Sequence, residues 1–256
     1  MNPWRGTVAV AGFQLRRLLA PQRVIMALVG AAFPAAVILA VRQIAVELDR
    51  DIAVILLYAL IPEAVCMLGL LVTMCPVVAD ELERGTWQHV AVRPGGRRSL
   101  LLGTYVASVA WTSMVALLAL ALALAATGVS QAGELVSILS ALVILSCVGR
   151  AALFAIPAVI VPKRALVASV AVAFVVEYLA GFLPAVVNQL TVSLRLRSLL
   201  VRWMSWQRQL PPELDLLIDT QPAAVQIMAL LSLTAVLLFA ASIILSRRQF
   251  PPAEES

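Results

Sequence analysis

The chain has 256 residues, of which 62% are hydrophobic and only 13% charged, and its mean hydropathy is +0.99. A soluble domain averages roughly half apolar and a quarter charged residues, so a single water-facing fold cannot absorb this excess. The formal charge of +5 would suit nucleic acid. Without an aromatic-rich basic groove or zinc-ligand spacing, it reads instead as the Arg and Lys that membrane proteins gather in cytoplasmic loops.

Trp4, Val8, Ala11, Leu15, Leu18 and Leu19 recur at helical spacing, with Arg5 and Arg16 on another face. Residues 1–22 are therefore expected to form a helix lying in the membrane interface and entering the first span at Pro21; a flexible tail is the plainer alternative. Arg16 and Arg17 precede an apolar run, but a long segment lies ahead of them and the run is of spanning length. A cleavable signal is not expected.

Crossing about 30 Å of hydrocarbon takes roughly 20 apolar residues at 1.5 Å each. Six runs qualify: 24–41, 52–78, 100–127, 135–156, 165–187 and 223–245. Lipid offers no partner to an open strand edge, so all six are expected to be helices. The expected fold is thus an all-α integral membrane protein, one transmembrane domain over residues 1–256. Between the last two runs, 188–222 carries Leu190, Leu194, Val201, Trp203, Met204 and Trp206. These suggest helical pieces resting at the outer interface, with the two Trp at headgroup level and Pro211-Pro212 breaking the chain. Cys66, Cys75 and Cys147 fall inside apolar runs and read as small buried hydrophobes, not as a disulfide framework.

With the N-terminus inside, the cytoplasmic side collects Arg5, Arg16, Arg17, Arg23, Arg84, Arg93, Arg97, Arg98, Lys163, Arg164, Arg247 and Arg248. The outer side collects Arg42, Arg50, Arg195, Arg197, Arg202 and Arg208, a bias of 12 to 6. The expected location is a cell membrane, crossed several times with both termini cytoplasmic.

Between the second and third runs, 79–99 concentrates charge and turn residues: Glu81, Glu83, Arg84, Gly85 and Thr86, then Trp87 to Val92, then Pro94-Gly95-Gly96 and Arg97-Arg98. Gly85 offers a hinge, Thr86 an N-cap for a short helix over 87–92, Pro94 with the two glycines an end to that helix, and Ser99 a cap for the third span. Physical chemistry alone leaves two readings, a solvated turn or a mechanical connector between rigid spans. The pattern Glu-x-Glu-x-Gly-Thr, a short apolar helix, Pro-x-x-Arg and Leu102-Gly103 resembles the first cytoplasmic loop of ABC-2 type transporter permeases. Thr104 stands where that family usually has Lys. With the six spans, the N-terminal helix and the elaborated last outer loop, the resemblance covers nearly the whole chain.

The resemblance implies that 87–92 is a coupling helix docking on a separate ATPase subunit. Trp87, Gln88 and His89 would face that partner, while Glu81, Glu83 and Arg84 bind its surface or brace the loop. It also implies export, through a pathway formed with a second permease copy or a sister permease in the lipid bilayer. Lys163-Arg164 is either a second, smaller docking point or a plain charge anchor. No Gly-x-x-x-x-Gly-Lys-Ser/Thr occurs, the single lysine being Lys163. No cofactor is expected on this chain, and ATP and magnesium would be held by the ATPase.

Ionisable residues inside spans are costly and need an account. Glu63 and Arg150 differ in depth by only about 6 Å at helical rise, so a buried ion pair between them is open. Glu177 has no evident mate; it either attracts a cationic substrate group or hydrogen-bonds a neighbour such as Tyr178. Other functions remain in view. A membrane enzyme lacks its chemistry, since the lone His89 lies in the aqueous loop and no metal-ligand spacing appears. An ATP-independent carrier or a membrane scaffold is the alternative to the permease.

Overall fold

Apolar runs of this length can satisfy their backbone in lipid only as helices, and every regular element among the described residues is helical. The structure, a computed structural model, describes residues 3–44, 49–93, 95–128, 132–179, 191–206 and 221–249. In chain order these form α1 (Pro3–Leu18), α2 (Pro21–Ile44), α3 (Arg50–Val77), α4 (Ala79–Glu83), α5 (Trp87–Val92), α6 (Gly96–Thr127), α7 (Ala132–Ile160), α8 (Ala165–Ala173), α9 (Val192–Trp203) and α10 (Ala223–Arg247). Helices α2, α3, α6, α7 and α10 are long and apolar enough to cross a membrane, five where the sequence suggests six. The fifth run, 165–187, is the one not among them; it is described only to Leu179, where α8 passes into a π-helical turn, Phe174–Leu179. Its remainder lies outside the described residues, as do Tyr178's side chain, Pro94, Leu190, Arg208 and Pro211-Pro212.

Burial ranks the helices. About two thirds of the α7 span (67%) is buried against 17% of α2 and of α10, so α7 is the central post and the other two are peripheral. The outward faces carry Met26, Val29 and Phe33 on α2, Val167 and Phe174 at α8, and Met228, Val236 and Phe239 on α10. Large apolar side chains exposed in such numbers suit lipid and not water. The interior is two apolar clusters stacked along α7. One holds Leu57, Leu120, Leu139, Cys147 and Leu196; the other holds Met74, Trp87, Leu101, Ala151, Phe154 and Leu245. Cys66, Cys75 and Cys147 are all buried free thiols.

Arginines close the open carbonyls of three helix C-termini, where the helix dipole favours a cation. Arg97 donates to Leu245 O (3.3 Å), Ser246 O (3.0 Å) and Arg248 O (3.0 Å) at the end of α10. Arg248 donates to Val159 O (3.1 Å) and to Ile160 O at the end of α7. Arg42 donates to Ala126 O (2.7 Å) at the end of α6. The first two ties bring the 79–99 loop, the α7–α8 turn and the end of α10 to one end of the bundle, the loop end. Arg42, the Arg50–Glu134 pair (3.3 Å) and Trp206 bonded to Asp51 (3.0 Å) mark the opposite end.

α1 is helical as expected, and its apolar stripe is divided between α6 and the outside. Thr7, Ala11 and Leu18 are buried against α6, whereas Trp4, Val8, Phe13 and Leu19 point outward. Gly103 explains the choice. A Cβ there would lie 2.7 Å from Val10 Cβ and 2.9 Å from Thr7 O, so only glycine admits so close an approach. Gly103→Ala is therefore expected to push α1 off α6, at about 1–3 kcal/mol. Hydrogen exchange should rise over residues 3–18 and stay unchanged in α7.

Candidate functional site: an anchored loop helix and a buried charge cluster

The loop is built from two left-handed glycines. α4 ends in a Schellman motif: Gly85, at φ 67, donates to Leu82 O (3.1 Å), and Thr86 N–H donates to Glu81 O (3.0 Å). Gly85 is thus the fixed stop of α4 and not a free hinge. Thr86 occupies the N-cap position of α5, yet its hydroxyl caps nothing ahead of it; it donates back to the Glu81 carboxylate. Gly95 (φ 74, ψ 2), with Gly96 N–H bonded to Arg93 O (2.9 Å), has the geometry of the third position of a type II turn. Gly95, not Ser99, is the N-cap of α6.

Between these stops, α5 spans the expected residues but faces differently. Trp87 is buried in the loop-end cluster, and the Arg97 guanidinium lies over its ring at 5.6 Å. It anchors the helix and cannot face a partner. Glu81 is buried too, holding Thr86. Glu83, Arg84, Gly85, Gln88, His89, Val92 and Arg93 are exposed, and Lys163 and Arg164 are exposed in the 3-10 turn at the same end. Arg17 of α1 pairs with Asp80 at 2.5 Å, bracing α4 from the side.

At the seam of the two apolar clusters lies Arg150, fully buried on α7. Its Nη2 pairs with Glu63 Oε2 on α3, donates to Ser193 Oγ (2.9 Å) on α9 and lies 3.5 Å from Glu177 Oε2 beyond α8. Its Nη1 donates to Pro62 O and to Ser146 Oγ (2.8 Å), and Ser146 donates to the same Pro62 carbonyl (2.7 Å). Tyr58 donates to Glu63 Oε1 at 2.8 Å. The Glu177 carboxylate accepts from Val192 N–H (3.2 Å), Ser193 N–H (2.9 Å) and the Ser193 hydroxyl. An anion at the first turn of α9 is where the helix dipole favours one.

Both carboxylates sit in π-helical turns, Glu63 in Ala59–Val65 and Glu177 in Phe174–Leu179. Such turns are rare and concentrate at functional sites. Pro62 accounts for the first: it has no N–H to give, and its own carbonyl turns outward to Arg150 and Ser146. The arrangement also corrects two expectations. Glu177 does have mates, Arg150 and the start of α9, so its carboxylate is engaged inside the protein. And α9 does not rest at an outer interface: its N-terminus starts at the buried cluster and its far end reaches Trp206 beside Asp51. The described residues thus lead from the loop end to the cluster along α8, and from the cluster to the opposite end along α9.

The spacing of Glu63 and Arg150 was visible in the sequence, but Tyr58, Ser146 and Ser193 were not singled out. Ser146 stands four residues before Arg150, on the same helix face, and Pro62 adjoins Glu63 inside an apolar run; these were the available signals.

No protein-family model matches this sequence, and no curated protein matches it. What the fold defines is the architecture of a multi-pass helical membrane protein, with five apolar helices of spanning length.

Proposed function

We propose that the chain is the permease subunit of an ATP-driven transporter of the ABC-2 type, working as an exporter. In this reading it crosses a cell membrane six times, α1 lies at the interface, and both termini and the 79–99 loop face the cytoplasm. Two such subunits, two copies or a copy with a sister permease, line the pathway. A separate ATPase holds ATP and magnesium and drives the loop, so the chain itself is not an enzyme.

The observation that carries this reading is the build of α5. It is a single short helix, stopped at both ends by left-handed glycines and fastened from behind by Trp87 and Arg97, with Gln88, His89 and Val92 turned outward. A solvated turn needs no such anchoring; a part that takes a push does. α4 continues directly from α3, and α6 begins at Gly95-Gly96, so a load on α5 passes into two long helices. Lys163 and Arg164 lie at the same end and can share the contact.

The test is affinity purification of the intact chain from its own membranes. An ATPase with a Walker A motif is expected with it, lost on replacing Gln88 and His89 together by Asp. Recovery of the chain alone, or loop cysteines labelled only from outside intact cells, would leave a carrier or scaffold as the better reading.

A further inference from the structure

We infer that the Glu63–Arg150–Glu177 cluster is a latch holding α9 inside the bundle, with Glu177 as the residue that positions it, and that α9 is a plug releasable as one unit. Four elements meet at the latch, and α9 contributes only its first turn. Among the described residues, that turn is held by Glu177, through the N–H groups of Val192 and Ser193, and by the Ser193 hydroxyl it shares with Arg150 and Glu63. The opposite end of the segment is tied by Trp206 to Asp51 at 3.0 Å and by Arg202 to Gln221 O at 3.1 Å, and between the two ends Leu196, Leu199 and Leu200 pack in the apolar cluster, so release of α9 opens that packing as well.

Two features make this a device that can part. Two carboxylates face one guanidinium, so the cluster carries one negative charge more than its cation answers if both are ionised. Helix α9's N-terminal dipole complements that excess. Withdrawal of α9 would take from Glu177 the three donors that helix supplies and leave only Arg150 at 3.5 Å in a low-dielectric interior, so the closed arrangement is strongly favoured and open states are rare. The carboxylates also stand on π turns, each with one residue more than an α turn holds. A change of either turn toward α-helix would reorient the carboxylate it carries relative to Arg150, a local change of the kind a latch requires. Glu63 belongs to α3, the helix that runs into the loop, so a twist of α3 acts on the latch directly.

The experiment uses the full chain in lipid nanodiscs with Ser198→Cys as reporter, since Ser198 is buried on α9. The native Cys66, buried on α3, serves as internal control. With Glu177 intact, a water-soluble maleimide should label neither site. Glu177→Ala should speed labelling at 198 by at least about tenfold, the factor that losing one charge-assisted hydrogen bond carries, with Cys66 still silent. Glu177→Asp, which keeps the charge, should restore most of the protection. Ser193→Ala offers a milder second variant, expected to act in the same direction. Unchanged labelling at 198 in both variants would overturn the inference. So would labelling of 198 and Cys66 together, because the cluster would then hold the whole bundle and not the plug.

Discussion

Arg150→Met is expected to cost the folded protein about 3–5 kcal/mol. The side chain is fully buried, and its removal leaves Glu63 and Glu177 facing each other with no cation. It also removes the guanidinium donor from Pro62 O, which keeps only the Ser146 hydroxyl, and from Ser146 Oγ. The cost is mostly that of uncompensated charge, which gives the prediction its sharper half. The triple variant Glu63→Gln, Arg150→Met, Glu177→Gln should recover much of the loss, because it leaves no buried charge without a counter-ion. Arg150→Lys should fall between, keeping the charge but losing the fork that reaches two carboxylates and a carbonyl at once. Thermal midpoints of the detergent-solubilised protein, followed by size-exclusion chromatography, order the four proteins. A triple variant no more stable than Arg150→Met would mean that the cluster acts through shape and not through charge.

Length and hydropathy made the five long helices legible, because lipid leaves a run of apolar residues no other structure. The α5 boundaries were legible as well, since Gly85 and Gly95-Gly96 are stop signals that need no tertiary information. Orientation on a face was not. The resemblance turned Trp87 toward a partner, but an aromatic gains more by joining Met74 and Leu101 than by standing in water. α1 shows the same limit: its apolar stripe was legible, but not that it would be shared between α6, which takes Ala11 and Leu18, and the outside, which takes Trp4, Val8 and Leu19. The bundle prefers the face on which Gly103 allows contact, leaving Trp4 and Val8 outside. Thr86 and Ser99 were plausible caps by type, yet glycine at φ 74 took the second position and the Glu81 carboxylate claimed the first residue's hydroxyl. The charge cluster was half visible. Depth arithmetic relates two residues on continuous helices, but Ser193 reaches Arg150 only because α9 starts inside the bundle, and no local pattern announces that.

Trp87→Ala should separate the anchoring of the loop helix from its outward face. Truncating a buried tryptophan removes about 3–5 kcal/mol of packing, here together with the Arg97 contact over its ring. That loss is local, because α5 touches the rest of the protein mainly at α6. Amide exchange over residues 87–92 should accelerate on the order of a hundredfold or more, whereas the middle of α7 keeps its protection. Gln88→Ala with His89→Ala should do the reverse. Both side chains are exposed, so stability should move by less than about 0.5 kcal/mol and exchange should stay as in the parent. Capture of an ATPase should nonetheless fall. If Trp87→Ala captures the ATPase as well as the parent does and supports full coupled hydrolysis, force does not pass through α5 as a rigid piece. The loop would then be a tether, and the permease reading would rest on its sequence pattern without the mechanics that the anchored helix supplies.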